Sequence, residues 1–187
     1  MAYAVKIMKS FGAVGLAAAA TLSSGCRKAP APPPAIKPAT AYAADLVAVT
    51  TRVNTYLAGH NPSNTPREEI RDTVGTLAAA YGRIGAAAGP LRGKTGDISY
   101  GVVASRAEDG LIVAGNLAGA VGTDPASNAE APAILAGAIN DWEAYNDELA
   151  TLPAAKPDGY RPQRWWLEPA WRDAATPTSN RQPPDNV

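Results

Sequence analysis

Tyr42, Leu46, Val49, Val53 and Tyr56 recur at spacings of four, three, four and three. That rhythm lines them along one stripe of an amphipathic helix. Gly59 and the following His60-Asn61-Pro62 end the pattern, because proline disfavours helical geometry in the residue before it. A second stripe runs through Ile70, Val74, Leu77, Tyr81 and Ile84. Ahead of it, Thr65 and Glu68 have the spacing of a capping box and Pro66 suits the first turn, while Gly89-Pro90 stops the run. A third stripe holds Leu135, Ala138, Trp142, Tyr145, Leu149 and Leu152, between Pro132 and Pro153. Three helices sharing one period predict a mainly α protein, a small antiparallel bundle over residues 41–152.

Residues 98–121 admit two readings. Ile98 to Val103 and Leu111 to Val113 could be two strands joined across Arg106 to Gly110. Alternatively, Ala104 to Val121 is a glycine-interrupted helix that completes four. Each interior glycine costs a helix about 1 kcal/mol relative to alanine. An isolated hairpin is marginal, however, and a fourth helix closes a bundle core, so the helix is the favoured reading.

The two ends differ from the middle. Residues 27–40 contain five prolines and no apolar period, which favours an extended, semi-rigid tether. Residues 153–187 contain seven prolines and read as an extended arm. Within it, Arg161-Pro-Gln-Arg-Trp-Trp-Leu-Glu-Pro-Ala-Trp-Arg172 holds three of the four tryptophans. Leaving three large aromatics in water is costly, at about 25 cal/mol per Å² of apolar surface. Two outcomes are sensible. The tryptophans fold back over an open seam of the alanine-rich bundle, or they anchor a protein, glycan or membrane partner, for which Trp and Arg are well suited. Trp142 lies on a helical stripe and belongs to the core.

At the start of the chain, Lys6 and Lys9 precede an apolar run from Phe11 to Leu22, then Ser23-Ser24-Gly25 and the only cysteine, Cys26. Residues 1–26 resemble the signal peptide of bacterial lipoproteins. The resemblance implies that the signal is removed and that Cys26 becomes the acylated first residue of the mature chain, carrying two or three acyl chains such as palmitate. At about 0.8 kcal/mol per buried CH₂, one chain binds a membrane marginally and several hold it firmly. An ordinary secretory signal cut nearby would instead leave one free thiol, a liability in an oxidising compartment. Arg27 rather than an acidic residue follows the cysteine; in a Gram-negative cell the resemblance then implies the outer membrane, facing the periplasm.

Charge and chemistry narrow the remaining classes. From Cys26 onward, 15 basic residues face 17 acidic ones, which gives nonspecific nucleic-acid binding no electrostatic support. The single histidine, His60, lies in a loop with neither a serine turn nor a second zinc ligand to work with. No glycine loop has the spacing that cradles a cofactor phosphate, so no cofactor and no metal is expected. Asp124, Glu130, Asp141, Glu143, Asp147 and Glu148 fall in a stretch without Lys or Arg. Paired carboxylates can cleave glycosides, but these flank an apolar stripe, where a helix normally keeps its wet side.

The expectation is a lipid-anchored, non-enzymatic envelope interaction or scaffolding module. Its contact is placed at Arg161, Arg164, Trp165, Trp166 and Trp171. The alternatives are a carboxylate-based cell-wall or glycan-processing enzyme, and a phage-encoded envelope lipoprotein acting in lysis or exclusion.

Overall fold

The computed structural model describes residues 36–94, 96, 98–152 and 160–177; Cys26, its signal-like leader and most of the tether lie outside them. The apolar stripes become α1 (Ala39–Gly59), α2 (Arg67–Ala88), α3 (Tyr100–Gly122) and α4 (Ala131–Ala150), with a one-turn 3₁₀ segment, Gly89–Leu91, after α2. No strand occurs among the described residues. The helices alternate in direction. The start of α2 meets the end of α3 where Arg67 donates to the Val121 carbonyl. The start of α3 meets the end of α4 where Arg106 pairs with Glu148. The Tyr100 hydroxyl, at the head of α3, donates to the Lys37 carbonyl just before α1.

The contested segment is helical, and its glycine is the reason it packs. A Cβ on Gly110 would stand 2.5 Å from the Tyr145 hydroxyl and 2.7 Å from a ring carbon of Tyr81. The residue that weakens the helical pattern thus lets α3 slide beneath two tyrosines, which meet edge to face with centroids 5.9 Å apart. The Ser99 hydroxyl caps the helix by accepting from the Val102 N–H at 3.4 Å.

Two local expectations are corrected. No capping box forms at α2: the Thr65 hydroxyl donates to the Asn64 side chain at 2.8 Å, and Pro66 stands at the cap with no side-chain bond. The preceding turn consumes the local donors and acceptors, since Asn64 and Thr65 both donate backbone N–H groups to the Asn61 carbonyl. The second correction is a small rotation of stripes. Ala78 is buried where Leu77 is only partly so, and Leu57 is buried where Tyr56 is only partly so. At α2 the smaller Ala78 faces the core and Leu77 stands at the rim, while Leu57 is turned inward where the Trp171 indole donates to its carbonyl.

The core also continues past Leu152. A second 3₁₀ turn, Trp165–Leu167, and a short α5, Pro169–Ala174, lay the C-terminal segment against the bundle. Trp165 and Trp171 are fully enclosed and Trp166 nearly so. Trp165, Trp166 and Trp171 therefore belong to the same core as the four long helices, filling the seam between α1 and α4.

Candidate functional site

The α1/α4 seam is built around one asparagine. Asn54 on α1 is 1% exposed, and its Oδ1 accepts from two indoles, Trp142 Nε1 at 2.8 Å and Trp165 Nε1 at 3.0 Å. Its Nδ2 donates to Asn146 Oδ1 at 2.8 Å and to the Tyr160 hydroxyl at 3.1 Å. The Tyr160 hydroxyl donates to Asn146 Oδ1 at 2.7 Å, and Asn146 Nδ2 donates to the Trp142 carbonyl at 2.7 Å. Every polar atom of both amides thus has a partner. A short way along, Trp171 Nε1 donates to the Leu57 carbonyl at 3.0 Å. The three indoles pack edge to face, with Trp165 centred 5.5 Å from Trp166 and 4.6 Å from Trp171.

Of the two outcomes open to the tryptophan arm, the structure has the indoles folded back over the seam. Burial in a water-poor interior pushes the Tyr81, Tyr145 and Tyr160 phenols above their ordinary range, since the charged form loses its solvation. Two enclosed groups, the Trp166 N–H and the Tyr56 hydroxyl, have no hydrogen-bond partner among the described residues. Arg161 and Arg164 stay exposed; Arg164 lies 4.0 Å from Glu143 and 3.9 Å from Asp147, so it clips the segment to α4. Leu167, between the buried indoles and α5, is 48% exposed.

The remaining candidates are dispersed. Asp141, Asp147 and Glu148 are exposed and Glu143 is half-buried. Asp141 and Glu148 line one shallow α3/α4 groove of about 330 Å³, whose Arg106 is held by both Asp109 and Glu148. Asp124 and Glu130 sit on the α3–α4 loop, where the Asp124 side chain accepts from the Ala126 N–H. His60 stacks on Tyr56 with centroids 4.3 Å apart, and its ring nitrogen bonds the Tyr56 carbonyl. No three His, Cys, Asp or Glu side chains converge as a metal site among the described residues, and no helix there is long and apolar enough to cross a membrane.

A second groove, of about 320 Å³, opens between α1 and α2. Arg52 from α1 and Arg83 from α2 line it above an apolar floor that includes Val49 and Ile84. Asp45, the acid in this groove, is engaged by Lys37, and Lys37 also lies over the Tyr42 ring, 5.1 Å from its centroid. Pattern reading missed this groove because isolated arginines on a wet helix face look ordinary one helix at a time.

In comparisons with known proteins the chain matches no family model, no curated protein and no solved structure.

Proposed function

We propose that this chain is a lipid-anchored envelope module that works by binding and scaffolding. The observation that carries the reading is the single cysteine, Cys26, placed directly after an apolar run and Leu22-Ser23-Ser24-Gly25. A lipidated cysteine resolves why an exported chain would keep one thiol that can form no internal disulfide. The bundle supports the same reading, for its interior polar groups bond one another across the α1/α4 seam rather than lining a reactive cavity. The partner contact is assigned to the outer side of the C-terminal segment. Arg161, Arg164 and the exposed Leu167 present it, and Trp165, Trp166 and Trp171 hold it rigid. An interface needs such a preordered patch with an apolar centre and cationic rim.

The test is acylation and capture in cells. Wild-type chain should incorporate labelled palmitate and sediment with membranes, and Cys26→Ser should abolish both. A photo-crosslinker at position 167 should capture a protein or glycan partner that a crosslinker at Ala129 does not. A wild-type chain that stays in the soluble fraction without palmitate would overturn the anchor, and equal capture from both positions would overturn the contact.

A further inference from the structure

We infer that the groove between α1 and α2 is a site for the phosphate headgroup of an anionic lipid. Two guanidinium groups from facing helices line one groove, and neither Arg52 nor Arg83 has an acidic partner among the described residues. Two guanidinium groups lining one groove raise its local positive potential, which a bound anion relieves, and the groove's own acid, Asp45, is engaged by Lys37. The contrast within the molecule is direct: the α3/α4 groove also contains an arginine, but Arg106 there is neutralised by two carboxylates. Guanidinium groups match phosphate geometry with paired donors. Beneath them, Val49 and Ile84 supply an apolar floor, and Ala48 and Ala87 leave the walls low. A cationic rim over an apolar floor suits an amphipathic anion better than a fully hydrated one.

Position selects the lipid as the source. The groove runs from Tyr42 to Arg52 on α1 and from Ala80 to Ala87 on α2. It therefore extends from near the start of α1 at Ala39 and the end of α2 at Ala88 to just past the middle of α1. Along the sequence, Cys26 precedes Ala39, at the start of α1, by 13 residues. This inference rests on the envelope reading only for its choice of lipid over free phosphate.

The test uses the chain from residue 26 onward, which contains the whole compact unit Ile36–Val187, with Cys26→Ser so that no acyl chain contributes. Binding is measured by flotation on vesicles of phosphatidylcholine with or without phosphatidylglycerol. The unaltered groove should bind the anionic vesicles selectively. Arg52→Gln with Arg83→Gln should weaken that binding about 25-fold, about five-fold for each charge removed, while the circular dichroism stays unchanged. Arg172→Gln, which removes an exposed arginine elsewhere, should change it little. Arg52→Lys with Arg83→Lys should recover only part of the loss. Wild-type binding by the Gln pair would overturn the site, and wild-type binding by the Lys pair would reduce it to general charge. Inorganic phosphate that shifts the Ala48 and Ile84 amide resonances as strongly as short-chain phosphatidylglycerol would overturn the lipid assignment. A chain that lacks palmitate in cells yet loses vesicle binding with the Gln pair would sink the anchor and leave the groove standing.

Discussion

Asn54 concentrates more of the structure's specificity than any hydrophobic residue in the core. Four hydrogen bonds leave its side chain, two of them from indoles on α4 and the C-terminal segment. A buried polar group contributes only modestly when satisfied, but stranding its partners costs about 1–3 kcal/mol each. Asn54→Leu keeps volume and burial while leaving the Trp142 and Trp165 N–H groups without acceptors. The expected loss is about 3–5 kcal/mol, read as a shift of the urea midpoint. Leu167→Ala, at an exposed position, should stay within about 0.5 kcal/mol of wild type. If Asn54→Leu unfolds at the wild-type midpoint, the network is decoration and the indoles hold by area alone. Gly110 teaches the converse lesson: helix propensity would recommend alanine there, yet the two tyrosines leave no room for its methyl group.

At the scale of elements, the C-terminal segment behaves as the fifth wall of the bundle. Trp165 and Trp171 are each fully enclosed, and truncating a buried tryptophan costs about 3–5 kcal/mol. Whole domains are stable by about 5–15 kcal/mol, so removing both indoles together consumes most of that margin. A chain ending at Leu152 should therefore lose cooperative urea unfolding and its near-ultraviolet dichroism while keeping part of its helix signal. Unfolding of the truncated chain at the full-length midpoint would show the segment to be an appendage. Three of the long helices, α1, α2 and α4, were legible in the sequence because each repeats its apolar positions every three or four residues over about four turns or more. By contrast, α3 was favoured over a hairpin only because a fourth helix closes the core. The C-terminal segment was not legible, since a 3₁₀ turn and a six-residue helix are too short to carry a period and only their tryptophan content signalled burial. Asn54 and Asn146 were hidden for a different reason. A polar residue beside an apolar stripe is read as facing water, and only the Trp142–Asn146 spacing of four hinted that one polar group shares the buried face. The arginine groove needed two helices to be seen together.

For the whole molecule, the α1/α2 groove sets a preferred face toward an anionic surface. Arg52 and Arg83 line it, and its acid, Asp45, is engaged by Lys37. An anionic surface attracts these two arginines, at about 1 kcal/mol per basic residue near the lipid and within about a Debye length of 8 Å at physiological salt. On a chain acylated at Cys26 as proposed, this bias should turn the groove toward the lipid. Single-cysteine labelling reads the outcome on a chain shown to be acylated at Cys26, where the proposed lipid would occupy the native thiol. Ala48→Cys, exposed in the groove, and Ala129→Cys, exposed on the α3–α4 loop, should react equally with a water-soluble maleimide on neutral vesicles. On vesicles rich in phosphatidylglycerol, labelling at position 48 should slow several-fold while position 129 keeps its rate, and high salt should erase the difference. Equal rates at both positions on anionic vesicles would mean that the anchored bundle has no preferred face, whatever the groove binds in isolation.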